Sequence, residues 1–233
     1  MDLSKLTVLI TGSNTGIGFG LVKYFMEQKA TIIACCRKRS YFNLFYGEFG
    51  EKTNQLHPYA FDLSENFDDF LIQIKEKHGC PDIIINNGGI YLNSVDSFED
   101  HWDRVEKSML VNVKAPMKIV DFFQNDLKEK KWAKIINISS KMGSLSDNTS
   151  GGVLPYRISK SSLNMLTINQ AHQFSESHVK VFSVHPGWIK TKMGGENALD
   201  EIQTAVQRVL ACINDKLDNH HGQFMFGEEV LPW

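Results

Sequence analysis

Thr7-Val8-Leu9-Ile10-Thr11-Gly12-Ser13-Asn14-Thr15-Gly16-Ile17-Gly18 is a short apolar run that breaks into a glycine-rich turn, and Leu21, Val22, Phe25 and Met26 follow at helical spacing. A strand, a tight turn and a helix in that order put glycines where the chain must bend sharply and come close to a ligand. Gly12 permits the turn, Gly16 lets backbone approach a pyrophosphate, and Gly18 lets the helix pack closely, with its N-terminal amides facing the phosphates. Ser13, Asn14 and Ile17 fill the turn and complete the expected contacts. An ordinary strand-to-helix connection would read similarly, but the strand before it and the helix after it are the context that dinucleotide binding demands.

Outward from this unit the alternation repeats. Apolar runs at Thr7–Thr11, Thr31–Cys36, Gln55–Phe61, Asp82–Asn86, Lys134–Ser139, Lys180–Val184 and Gly222–Phe226 read as strands, with longer amphipathic or polar stretches between them. The pattern predicts an α/β fold: a single-domain doubly wound parallel sheet of the Rossmann type over residues 1–233, with about seven strands and helices on both faces. Ligands bind such sheets at the carboxyl ends of the strands. Two glycine-bearing stretches, Ser140 to Pro155 and Pro186 to Asn197, read as loops over that edge.

The chain of 233 residues is 42% hydrophobic, and its 25 Lys and Arg against 27 Asp and Glu leave a net charge of -2. That balance gives no field to recruit nucleic acid or an anionic membrane, so a small-molecule partner is expected. The apolar runs are too short to span a bilayer, and Met1 to Ser4 lacks a basic and apolar leader, which predicts a soluble, cytoplasmic protein. Cys35, Cys36, Cys80 and Cys212 form no framework and read as reduced core thiols. The histidines lack ligand spacing, so no metal site is expected.

The second strand ends Cys35-Cys36-Arg37-Lys38-Arg39, and Cys36 stands where an NAD-selective site places an acidic residue to hold the ribose 2′-hydroxyl. Arg37 has the planar fork to clamp a 2′-phosphate, with Lys38 or Arg39 adding charge, so NADP(H) is favoured over NAD(H). A solvated basic turn would look the same. Asp62 at the end of the third strand is placed to accept from the adenine amino group, and Leu63 offers a backbone amide; Asp62 also reads as a helix N-cap before Glu65. Asn87 and Gly88 close the fourth strand, where small residues let the chain pass close to a ribose or simply turn.

Tyr156 and Lys160 are four residues apart and share one helix face. Bringing a phenol from its ordinary value near 10 to about 7 takes roughly 4 kcal/mol of preferential phenolate stabilisation, to which a nearby ammonium contributes. Alone, such a pair is more often a solvated helix face. Ser140, at the end of Ile135-Ile136-Asn137-Ile138-Ser139-Ser140, should finish at the ligand-bearing edge, where its hydroxyl can polarise a carbonyl. Asn112, among Leu110, Val111 and Val113, is expected to be buried and to need partners, either through a water leading to Lys160 or as a satisfied helix-interior amide.

Together, the Gly12 to Gly18 turn, Asn86-Asn87-Gly88, Asn112, Ser140, Tyr156 with Lys160, and Pro186-Gly187 resemble a short-chain dehydrogenase/reductase over essentially the whole length. Within that family, His185 to Thr191 and the ending Gly222-Gln223-Phe224 through Leu231-Pro232-Trp233 are similar to C-factor and sniffer-like carbonyl reductases. The resemblance implies that Tyr156 is the general acid/base, Ser140 positions the carbonyl, Lys160 binds the nicotinamide ribose and lowers the tyrosine pKa, and Asn112 supports a proton relay. It further implies cofactor contacts from Pro186, Gly187, Ile189 and Thr191, a substrate wall at Trp188 with Trp233 as a second candidate, and assembly as a homodimer or homotetramer. Rival readings are a catalytically silent NADP(H)-binding signalling or regulatory protein, and a reductase of carrier-bound acyl chains. Two departures from the family stand out: Gly89 replaces the usual Ala, and the interval from Ser140 to Tyr156 is a few residues long.

Overall fold

The apolar run that opens the chain becomes the middle of a sheet in the computed structural model, which describes residues 2–50, 54–93 and 97–233. Strand β1 (Thr7–Thr11) pairs in parallel with β2 (Thr31–Cys36) on one side and with β4 (Ile83–Asn86) on the other, with Val8 opposite Ile32 and Ile83. Beyond β2 lies β3 (Leu56–Ala60); beyond β4 come β5 (Ala133–Ile138), β6 (Val179–Val184) and β7 (Phe224–Phe226), all parallel. A two-residue β8 (Glu229–Val230) closes that edge antiparallel to β7. The order β3-β2-β1-β4-β5-β6-β7-β8 reverses direction between β1 and β4, which opens a crevice beyond Thr11 and Asn86.

The connections are α1 (Gly16–Glu27), α2 (Phe42–Phe49), α3 (Asp68–His78), α4 (Phe98–Met109), α5 (Ala115–Lys128), α6 (Leu154–Gln173) and α7 (Ile202–Ala211), with a π-helical turn, Leu110–Lys114, joining α4 to α5. Strand residues alternate between two cores. Val8 and Ile10 pack with Leu21, Phe25 and Val209 on one face, whereas Leu9 packs with Leu71, Ile119 and Phe123 on the other. Both faces are covered, so Val8–Ile10 in β1 and Ile83–Ile85 in β4 are unbroken apolar runs rather than alternating ones. Pro58, which has no N–H to donate, sits in β3 at the sheet edge, where a missing ladder bond is tolerated.

The expected strands form with small shifts at their ends. Gln55 and Phe61 fall just outside β3, Ser139 just outside β5, and Gly222, at φ +80°, belongs to the turn before β7. Strand β8 was not foreseen, because two residues carry no periodicity. Among the described residues no helix is long and apolar enough to cross a membrane, and no three His, Cys, Asp or Glu converge to hold a metal ion. Met1, part of the segment read for a leader, lies outside the described residues.

Candidate active site

The glycine turn is built so that backbone alone lines it. Gly12 and Gly16 have φ of +62° and +54°, and a Cβ on Gly12 would lie 2.7 Å from Gly88 Cα. A Cβ on Gly18 would lie 2.2 Å from Gly12 O, so helix α1 is packed onto the turn. Thr15 gives α1 no side-chain cap, leaving its first amides for a ligand. Asn87 Nδ2 donates to Thr11 O at 2.9 Å and Gly12 O at 3.1 Å, and Gly88 N donates to Thr11 Oγ1 at 2.9 Å. Asn87 and Gly88 thus brace the turn from β4. Ser13 faces inward: its amide and its hydroxyl both donate to Cys35 O, at 3.1 and 2.9 Å, which ties the turn to β2. Asn14 and Ile17 are half-buried on the rim. This cradle of amides and missing side chains fits a pyrophosphate.

Thr191, on the loop after β6, lies against that turn, with its Cγ2 3.0 Å from where a Gly16 Cβ would be. The loop is held by Arg208 Nη1, which donates to Pro186 O at 2.8 Å and to Asp200 Oδ2 at 2.6 Å. Gly187, at φ +106°, leaves room for that guanidinium, and Ile189 is buried beside it. Trp188 is half exposed and donates Nε1 to Gly194 O at 2.8 Å.

A cavity of about 530 Å3 opens at the ends of β2 and β3, with Arg37, Lys38, Phe61 and Asp62 among its lining residues. Neither Arg37 nor Lys38 makes an ion pair among the described residues, and both line the cavity together with the carboxylates of Asp62 and Glu65. Burial pushes the Cys36 thiol up to about 11, so it adds no negative charge beside the two cations. Asp62 is not a helix cap: Oδ1 accepts from Ser64 N at 2.9 Å and Ser64 Oγ at 2.7 Å, and the next helix begins only at Asp68. Leu63 packs its side chain toward Gly88, its Cδ1 2.6 Å from where a Cβ there would be.

Helix α6 brings Tyr156 and Lys160 to the end of β5. Lys160 Nζ lies 5.6 Å from the Tyr156 ring centroid and donates to Ile138 O at 2.7 Å. The turn after Ser140 presses on α6, since a Cβ on Gly143 would lie 2.6 Å from the Lys160 carbonyl carbon. Ser140 caps that turn by accepting from Met142 N at 3.2 Å. Burial pushes the Tyr156 phenol up to about 12; hydrogen bonding by the Ser140 side chain acts the other way, and Tyr91 raises it further. Burial also brings the Lys160 ammonium down to about 8. The phenol therefore keeps its proton here, because desolvation outweighs what its neighbours offer the phenolate.

Asn112 is fully partnered. Oδ1 accepts from Ile90 N at 2.8 Å, while Nδ2 donates to Ile90 O at 3.0 Å and to Ser159 Oγ at 2.9 Å. Ser159 in turn donates to Tyr156 O at 2.8 Å. These bonds link the β4 loop to α6. Gly89 permits this approach, because a Cβ there would lie 3.1 Å from Asn112 Oδ1 and 3.7 Å from Lys160 Nζ.

The sequence model of the "short chain dehydrogenase" family matches residues 6–202. This chain belongs to that family. It is 30% identical over 162 residues to the C-signal of Myxococcus xanthus, covering 66% of this chain and 94% of that one. Its structure superposes on the carbonyl reductase Sniffer of D. melanogaster with a TM-score of 0.87 at 28% identity, covering 97% and 99% of the two chains. The NADPH-bound carbonyl reductase from chicken fatty liver gives 0.86 at 27%, covering 97% and 98%.

This short-chain dehydrogenase closes its long Ser140–Tyr156 interval with a residue that reading the sequence overlooked. Arg157, 7% exposed, donates Nε to Gly151 O and Gly152 O at 3.0 and 2.9 Å, Nη1 to Met142 O at 3.3 Å and Nη2 to Ser150 Oγ at 2.8 Å. Gly151, Gly152 and Val153 all have positive φ, and for β-branched Val153 at +47° that conformation is strained. The guanidinium holds the strained turn in place. The start of the loop is tied to the chain's last residues, with Ser144 Oγ donating to Pro232 O at 2.9 Å and Ser146 Oγ to Trp233 O at 2.7 Å. Trp233 stacks on Phe224, centroids 5.5 Å apart, which makes it packing for β7. Arg157→Met strands four acceptors and should lower unfolding stability by about 1–3 kcal/mol. Thermal unfolding with limited proteolysis at residues 144–153 measures this; an unchanged midpoint and an uncut loop would remove the clamp.

Proposed function

We propose that the chain is one cofactor-binding and catalytic domain that reduces an aldehyde or ketone carbonyl to an alcohol with NADPH, or runs the reaction backwards. The observation that carries this is the placement of Tyr156 beside Lys160 and Ser140 at the carboxyl edge of the sheet, on the side where the glycine turn opens. A bound nicotinamide dinucleotide supplies the hydride. Gly12 to Gly18 hold its pyrophosphate, Arg37 and Lys38 its 2′-phosphate, Asp62 and Leu63 its adenine end, and Pro186 to Thr191 its nicotinamide end. That the chicken fatty liver relative binds NADPH supports the same choice.

Tyr156 donates a proton to the carbonyl oxygen, and Ser140 hydrogen-bonds that oxygen as its negative charge develops. With its pKa at about 12, the phenol is loaded for donation at neutral pH. Lys160 has its ammonium near the ring and stabilises the phenolate as the proton leaves. Asn112 fixes the loop after β4 against α6 so that these groups stay in register. Trp188 borders the substrate side. Assembly as a homodimer or homotetramer in the cytoplasm completes the proposal.

NADPH consumption across a panel of aldehydes, quinones and diketones tests it, and silence with every carbonyl would favour a regulatory NADP(H)-binding role. Arg37→Glu replaces attraction to a 2′-phosphate with repulsion. It should lower kcat/KM for NADPH by about tenfold or more and leave NADH nearly unaffected. Equal losses with both cofactors would remove Arg37 from the selectivity site.

A further inference from the structure

One aromatic side chain at the Tyr156 phenol has no part in the mechanism above. The Tyr91 ring lies with its centroid 4.8 Å from that of Tyr156, the planes inclined by 54°. Tyr156 is 8% exposed and Tyr91 is 38% exposed, so Tyr91 packs against the buried phenol and turns the rest of its surface outward.

Tyr91 is also held in place. The preceding residue, Ile90, has its N–H and its C=O both bonded to the Asn112 side chain, and the same amide reaches the Tyr156 backbone through Ser159. One buried side chain thus fixes the backbone next to both tyrosines, so Tyr91 stands beside Tyr156 as a rigid wall. Rigid aromatic surface binds a flat partner with little ordering to lose. Both loops that flank the site expose large apolar groups, Leu145 at 79% and Met193 at 52%, while Lys141 is paired with Asp147 and Lys190 with Glu201.

We propose that Tyr91 determines specificity, selecting substrates whose carbonyl is attached directly to an aromatic ring by stacking against that ring while the carbonyl meets Tyr156. This rests on the carbonyl-reducing function proposed above. Ring stacking and the contact area that goes with it correspond to about a tenfold preference over an aliphatic carbonyl of equal size.

The test compares full-length wild type with Tyr91→Phe, Tyr91→Leu and Tyr91→Ala, using an aryl aldehyde and an aliphatic aldehyde of matched size. Tyr91→Phe should keep the preference. Tyr91→Leu and Tyr91→Ala should lose about tenfold in kcat/KM for the aryl aldehyde, mostly through KM, and stay within about twofold for the aliphatic one. Losses of equal size with both substrates, or with neither, overturn the inference and leave the proposed function standing. Binding of an unreactive aryl ketone, followed by quenching of protein fluorescence, gives a readout that needs no turnover. Weakening by about tenfold in Tyr91→Leu supports the wall even if no aldehyde is consumed, and unchanged binding refutes it.

Discussion

Tyr156→Phe should retain NADPH binding and lose turnover by about a hundredfold or more, the scale of acid/base catalysis by a positioned side chain. Only one oxygen is removed. The ring keeps its contact with Tyr91 at 4.8 Å and its place beside the Lys160 ammonium at 5.6 Å, so the fold and the glycine turn are untouched. What disappears is the proton to be donated and the hydroxyl that interacts with Ser140. Fluorescence titration with NADPH measures the first half of the expectation and NADPH consumption the second; unchanged turnover would eliminate the role of Tyr156.

The same geometry sets a direction with pH. The phenol keeps its proton up to about 12, whereas Lys160, brought down to about 8, is the first of the pair to lose its proton as pH rises. Without the ammonium the phenolate is less stabilised, so reductive kcat/KM should fall as pH rises through about 8, and the group reporting is the lysine.

Much of this site could be read in the sequence because it depends on local rules. Gly12, Gly16 and Gly18 mark a strand-to-helix turn by spacing, and Tyr156 and Lys160 share a helix face by period. What stayed hidden depends on contacts between distant parts of the chain. Arg157 sits between Tyr156 and Lys160 and looks like an ordinary helix charge, but the loop folds back and gives it four acceptors. Tyr91 follows a turn with no periodicity of its own and meets Tyr156 only because Asn112 ties the two segments together. Asn137 lies among isoleucines in its strand, and its Nδ2 donates to Thr167 Oγ1 and Gln170 Oε1 at 3.0 and 2.9 Å. Buried amides of this kind fix α6 on the sheet, and no pattern of hydrophobicity announces their partners. Spacing shows that a lysine lies near Tyr156, but not that burial acts on both groups at once, pushing the phenol up and the ammonium down.

Gly18→Ala should abolish NADPH binding at cofactor concentrations that saturate wild type and lower stability by about 1–3 kcal/mol, the usual range for overpacking. Alanine is the better helix former, so propensity alone would make this change stabilising by about 0.5–1 kcal/mol. Packing decides the sign. The added Cβ would stand 2.2 Å from Gly12 O, 2.6 Å from Asn87 Nδ2 and 2.9 Å from Gly12 C. Backbone at Gly12 cannot swing aside as a side-chain tip could, because Asn87 holds Gly12 O and Gly88 closes on it from behind. Relief must come by moving α1 away from the turn, which carries its amides off the phosphates they are proposed to hold. Gly47→Ala in α2 is the control. A Cβ there meets nothing within 4 Å, so helix propensity is free to act, and stability should hold or rise with NADPH binding unchanged. Thermal unfolding and NADPH titration of the two variants separate helix propensity from packing. Wild-type affinity in Gly18→Ala would mean that the turn does not hold the dinucleotide through this close approach.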